Sequence, residues 1–118
     1  MSEDKPRIIR NELYQLIRSD RIDEFNRRWT SGERIDMRGL DFRNQDLRRL
    51  KVADIDFSDA YFRAADLRGL DMRTCRLEGA NIQDAKISGA YFPQEIAPAE
   101  ITLSLQYGTR MRCTRAPA

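Results

Sequence analysis

Five triplets in this chain repeat one chemistry. Asp36-Met37-Arg38, Asp41-Phe42-Arg43, Asp46-Leu47-Arg48, Asp66-Leu67-Arg68 and Asp71-Met72-Arg73 each set an acid and a base on either side of an apolar residue. With the middle side chain buried, both charges face water, where such a pair contributes only about 0–1 kcal/mol. Bases gathered close together repel unless nearby acids, or the acids of a partner, pair with them. That chemistry is binding. Bond-breaking finds little support, because the chain has no His and Ser58, Ser88 and Ser104 therefore lack an imidazole to activate them. No catalytic residue, cofactor or metal site is expected, and the chain is not read as an enzyme. Cys75 and Cys113 are too few for a disulfide framework. Cys75 is expected as a buried, inert thiol, and Cys113 as one reactive through exposure.

The whole composition narrows the setting. With 118 residues, 41% hydrophobic and 34% charged, the chain suits one compact domain and no membrane span. Glu3, Asp4, Lys5 and Arg7 precede the first apolar pair, Ile8-Ile9, so no secretory signal is expected and the cytoplasm is the expected address. The 21 basic and 19 acidic residues leave +2, far from the excess of a dedicated nucleic-acid binder.

The elements that position the triplets follow from a repeat. Stepping by five from Met37, the chain reads Met37, Phe42, Leu47, Val52, Phe57, Phe62, Leu67, Met72, Leu77, Ile82, Ile87 and Phe92, all apolar. Two places before each lies a second apolar or small residue, from Ile35 and Leu40 through Ala60, Ala65 and Cys75 to Ala90; Gln45 is the polar exception, expected to bond the N-terminal helices. A five-residue step scatters side chains around an α-helix and alternates faces along a plain strand. A chain that turns a corner after every unit buries them all.

The units Ala60-Tyr61-Phe62-Arg63-Ala64, Ala65-Asp66-Leu67-Arg68-Gly69 and Ala80-Asn81-Ile82-Gln83-Asp84 resemble the A(D/N)LXX units of the pentapeptide-repeat family, and the resemblance covers residues 35–94. It implies a mainly β fold, a right-handed quadrilateral β-helix with four units per coil and about three coils. Residues twenty apart would then stack, giving the ladders Met37-Phe57-Leu77, Phe42-Phe62-Ile82, Leu47-Leu67-Ile87 and Val52-Met72-Phe92. So short a solenoid needs covered ends. Residues 1–34 are expected as an N-terminal helical cap, 35–94 as the solenoid and 95–118 as a C-terminal capping helix and basic tail. In the first segment Ile9, Leu13, Leu16 and Ile17 form one helical stripe, and Asp20 is placed to cap a second helix bearing Ile22, Phe25 and Trp29, the tryptophan as an anchor. Residues 98–107 suit a helix begun by Pro98 and ended by Gly108, or a strand alternating Ile101, Leu103, Leu105 and Tyr107. From Thr109 the tail is expected to be mobile.

On this frame Arg43 stacks with Arg63 and Arg48 with Arg68, with Tyr61 displayed between Arg43 and Arg63. Arg43, Arg48, Tyr61, Arg63 and Arg68 are accordingly the expected protein-binding face, and Asp54, Asp56, Asp59 and Glu78 an acidic counterpart. Asp36 over Asp56 suggests a divalent ion, but Arg38 is the more ordinary partner. The expected function is a non-enzymatic protein-interaction or scaffold module with an unidentified protein partner, and with a homodimer through the C-terminal cap as a further option. Some family members mimic duplex DNA and bind DNA gyrase with a long, strongly negative rod. Here residues 35–94 hold ten acidic and ten basic residues, so that alternative is disfavoured. Nucleic-acid binding through the stacked arginines, helped by Arg110, Arg112 and Arg115, is disfavoured by the interleaved aspartates.

Overall fold

In the computed structural model, which describes residues 5–114, the five-residue register becomes a stack because residues meet those twenty positions later. Parallel bridges join Asp41 to Tyr61 and Tyr61 to Asn81, Asp46 to Asp66 and Asp66 to Lys86, Asp56 to Arg76, and Asp71 to Tyr91. The Phe62 N–H donates to the Asn81 carbonyl at 2.8 Å and the Leu67 N–H to that of Lys86 at 2.8 Å, while the Lys86 N–H returns to Ala65 at 2.9 Å. Each unit closes on itself too, as where the Ala65 N–H reaches the Phe62 carbonyl at 2.9 Å.

The corners explain one column of the sequence. Asn44, Asp54, Asp59, Ala64 and Asp84, five residues apart or multiples of it, have φ between 59° and 64°. This left-handed region suits Gly, Asn and Asp and costs other L-residues roughly 1–2 kcal/mol. Ala64, at φ 59°, has neither advantage. Ala64→Gly is therefore expected to raise stability by about 0.5 kcal/mol, the relieved strain exceeding the added freedom of the unfolded chain. Urea denaturation measures it.

The mainly β expectation is corrected. Among the described residues there is no β-strand and no sheet, only isolated bridges, and the regular elements are three helices. The physical reason is the corner itself: the chain turns every five residues, so extended backbone ends before a second consecutive pair can form.

Inside, the centre residues from Met37 to Ile82 are buried, whereas Ile87 and Phe92 at the end of the series are half-buried. Phe42 and Phe62 stack with centroids 5.4 Å apart, and Phe57 meets Phe62 edge-on at 5.4 Å. On the first layer lie α1 (Glu12–Arg18) and α2 (Ile22–Thr30). Asn11 caps α1 by accepting from the Leu13 and Tyr14 N–H groups. The buried Tyr14 hydroxyl donates to the Asp41 carbonyl at 2.6 Å. In α2 the Asn26 amide acts as a peptide group would, donating to the Arg49 carbonyl at 2.9 Å and accepting from the Lys51 N–H at 2.9 Å. Asp20 is not the cap of α2; it takes φ 63°, and Arg21 holds the cap position without a side-chain bond. Trp29 stacks on Phe25 at 5.3 Å, with the Arg34 guanidinium 4.4 Å from its ring centre. The Gln45 side chain makes no hydrogen bond to these helices; its backbone carbonyl accepts from Asp66.

On the last layer, residues 98–107 are a helix, α3 (Pro98–Tyr107), stopped by Gly108 at φ 71°. The buried Ser104 hydroxyl accepts from the Ile82 N–H at 3.0 Å and the Leu105 carbonyl from the Asp84 N–H at 3.1 Å, standing in for a further layer. Over residues 109–114 the tail is not the loose segment its polarity suggests. Met111 is fully buried and exchanges bonds with Gly79 and Ala80 at 2.6 and 2.9 Å. Arg112 pairs with Glu100 at 3.1 Å. Arg115 lies outside the described residues.

Candidate functional site: the arginine face

The Asp-apolar-Arg triplet folds into a fork. In Asp41-Phe42-Arg43, Asp41 Oδ1 accepts from the Arg43 backbone N–H at 3.0 Å and from its Nε at 2.9 Å, while Oδ2 accepts from Nη2 at 2.9 Å. The buried middle residue turns both neighbours to the same side, and two residues of separation let the guanidinium lie flat on its own carboxylate. The same fork recurs at Arg38, Arg48, Arg68 and Arg73. Such bidentate, charge-assisted bonds fix the plane of the guanidinium as well as its place.

Stacking links the forks. Arg48 Nε lies 3.3 Å from Asp66 Oδ2, so Asp66 serves both Arg48 and its own Arg68. Repulsion between the stacked bases is thus met from within. The structure stacks Arg43 with Arg63 and Arg48 with Arg68 in successive layers. Arg63 differs: Tyr61 stands where its acid would be, and Arg63 has no ion pair among the described residues. Tyr61 is not displayed freely between Arg43 and Arg63. Arg110 from the tail donates to its hydroxyl at 2.8 Å and lies 5.4 Å from its ring centre.

Two cations of this face escape a reading of the triplets alone. Lys86 follows Asp66 in the next layer, joined to it by a backbone bridge and with no ion pair among the described residues, and its place was legible as the residue twenty beyond Asp66. Arg18 reaches Asp41 Oδ2 at 3.5 Å from α1, a contact set by helix packing that no local spacing announces. The acidic counterpart is partly taken up as well: Asp59 lies 3.4 Å from Arg110, and Glu78 accepts from the Cys113 N–H at 2.7 Å. Asp36 is occupied by the Arg38 fork, with Arg7 at 3.7 Å.

The forks shift titration. The side-chain bonds of Arg38 and Arg68 hold the Asp36 and Asp66 carboxyls at about 2, from an ordinary 3.8. A carboxylate more acidic in the folded than the unfolded chain adds stability above the unfolded pKa and loses it as pH falls toward the folded one. Thermal stability is therefore expected to hold from pH 8 down to about 5 and to fall between about 4 and 2, in urea or thermal melts across that range. Burial pushes the Cys75 thiol up to about 11, and its Sγ–H donates to the Val52 carbonyl. Cys113 is half-buried and is also pushed up to about 11, by burial and then by Glu78, which corrects its expected reactivity.

Compared with protein families, residues 55–92 match the model of pentapeptide repeats in eight copies. The chain carries pentapeptide repeats. The geometric stack of these repeats begins earlier than the match, since Asp41 and Asp46 already bridge to residues twenty ahead. Its first units place Ile35, Leu40, Gln45 and Leu50 where Ala60 and Ala65 stand later, which dilutes the family pattern without breaking the register. Neither the curated proteins nor the solved structures yield a match. Among the described residues no helix is long and apolar enough to cross a membrane.

Proposed function

We propose that this pentapeptide-repeat stack is a non-enzymatic interaction module that docks an acidic protein surface on Arg43, Arg48, Arg63 and Arg68. Proteins of this family are generally non-enzymatic, in keeping with that reading. The observation that supports it is the fork: at Arg43, Arg48 and Arg68, Nε and Nη2 are held by the preceding aspartate, and Nη1 makes no hydrogen bond among the described residues. Arginines ordered in advance lose little freedom when a partner arrives, and arginine is enriched where interfaces bind most strongly. The interleaved aspartates, by contrast, would oppose a phosphate backbone.

Arg63 is the cleanest test, because no fork is broken when it changes. Arg63→Glu is expected to remove an acidic partner from affinity capture followed by mass spectrometry, while stability stays within about 0.5 kcal/mol of wild type. Capture of the same proteins by both forms would contradict the reading.

A second reading, self-association, has its own observation. The backbone N–H groups of Ile87, Gly89 and Phe92 and the carbonyls of Ala85 and Ala90 find no partner among the described residues, and Tyr91 between them is exposed. A second copy meeting this end would satisfy them. Light scattering that returns a monomer at all concentrations would reject it.

A further inference from the structure

One stripe of α2 and the corner at Lys51 enclose an open groove beside the first layer. Asp23, Asn26, Arg27 and Thr30 stand at i, i+3, i+4 and i+7 of the helix, and with Lys51 they line a space of about 410 Å³. Asn26 ties its two sides together, its amide donating to the Arg49 carbonyl and accepting from the Lys51 N–H, both at 2.9 Å. The charges resolve unevenly. Asp23, the one carboxylate of the lining, is paired with Arg49 at 2.9 Å. The neighbouring acids outside the lining are accounted for separately. Glu24 pairs with Arg21, and Asp71, twenty residues beyond Lys51, is held in its fork by Arg73 at 2.8 Å. Asp54 lines another cavity with Trp29 and Arg34, and Asp20, in the turn before α2, does not reach the groove. Arg27 and Lys51 remain. Neither side chain makes an ion pair or hydrogen bond among the described residues, and neither does the Thr30 hydroxyl.

We infer that this groove binds a phosphate monoester through Arg27, Lys51 and Thr30. Near neutral pH such an ester carries about −1.5 to −2 charges and three strong acceptor oxygens. Two unpaired cations match the charge, and a guanidinium, an ammonium and a hydroxyl supply three kinds of donor for the three oxygens. A carboxylate has one charge and two oxygens in one plane, which leaves part of this set unused. The volume exceeds what a bare phosphate fills and falls in the range of small-molecule sites, leaving room for the organic part of the ester. None of the three side chains is engaged in holding the fold, so a ligand displaces no internal bond. Because Arg27 and Thr30 belong to α2 and Lys51 to the first layer, the bound ester spans the same junction that Asn26 already closes. Binding is therefore expected to slow exchange of the Lys51 amide.

The test is an NMR titration at pH 7.5 and constant ionic strength, following the Thr30 and Lys51 amides. Phenyl phosphate, a phosphoserine tripeptide, succinate and sodium chloride are the probes. Saturable shifts with a phosphate ester are expected, at an affinity about fivefold or more above that for succinate, a dianion built from carboxylates. Tighter binding of phenyl phosphate assigns the site to a small molecule, and tighter binding of the peptide assigns it to a phosphorylated protein side chain; both support the inference. Arg27→Gln and Lys51→Gln are each expected to weaken binding by about fivefold or more. Arg63→Gln, on the arginine face, is expected to leave it unchanged, which separates this site from the docking surface proposed above. Neither the Arg27 nor the Lys51 side chain holds a contact of the fold, so both variants stay readable. Shifts no larger than those of chloride, succinate binding as tightly as the esters, or undiminished binding in Arg27→Gln or Lys51→Gln would each overturn the inference.

Discussion

Phe62→Ala is expected to lower the free energy of unfolding by about 3–5 kcal/mol, a third or more of the roughly 5–15 kcal/mol typical of a domain. Phe62 is buried in the middle layer, stacked on Phe42 below and edge-on to Phe57, so its loss strips two aromatic contacts and leaves a cavity between fixed neighbours. The backbone on either side of it is held to Tyr61's and Asn81's layers by hydrogen bonds, at 2.8 Å in both Phe42 N–H to Tyr61 and Phe62 N–H to Asn81. Collapse around the gap is therefore limited, and the cost belongs at the upper end of what core truncations show. Equilibrium urea unfolding gives the number; a loss under about 1 kcal/mol would mean that the aromatic column is not packed as described.

Asn26→Leu carries the second large effect. The replacement puts an apolar side chain of comparable bulk on α2 but removes the amide that bonds Arg49 and Lys51, leaving one carbonyl and one N–H of the first layer without their partner. At about 1 kcal/mol or more for each group abandoned, the expected loss is about 2–3 kcal/mol. Asn26→Gln, which has the same groups one methylene further out, is expected to recover only part of it. Because α2 then no longer pins the first layer, amide exchange at Lys51 should accelerate before that at Leu67, whose N–H bonds Lys86 inside the stack. Equal acceleration at both would show that Asn26 acts on the whole fold and not on its end.

Much of this was legible because burial imposes a period. A side chain every five residues can share one interior only if the chain turns after each unit, and that inference placed Met37 through Ile82 correctly inside. The corner residues carry a signal of the same kind that the repeat alone did not single out: Asn, Asp and Gly tolerate the positive φ that the turn requires. The strand content was not. Stacking twenty residues apart says that layers pair, but the number of consecutive pairs depends on how soon the next corner arrives, and here it arrives before a strand can form. The tail misled because only Met111 among its polar neighbours is buried, and one apolar residue makes no pattern. Asp20 misled in the opposite way: its type suits a helix cap, yet the turn between α1 and α2 uses its tolerance of positive φ instead.

At the arginine face the sequence showed which residues share a side but not how their charges are resolved. Whether an Arg lies on its own Asp is decided by side-chain geometry over two residues, and all five triplets form that fork, Arg48 reaching Asp66 of the next layer as well. Arg63 stands apart for a reason visible in one letter, the Tyr61 that replaces an acid. The groove beside α2 was invisible from the sequence, since Arg27 and Lys51 line it together only because Asn26 ties the helix to the first layer.

The stacking of residues twenty apart is tested most directly by NMR couplings measured across hydrogen bonds, from amide nitrogen to carbonyl carbon. Couplings from the Phe62 amide to the Asn81 carbonyl and from the Leu67 amide to the Lys86 carbonyl are the predicted result. Couplings from those amides to carbonyls four residues earlier would instead describe a helix through the repeat, and would contradict the stack and every contact built on it.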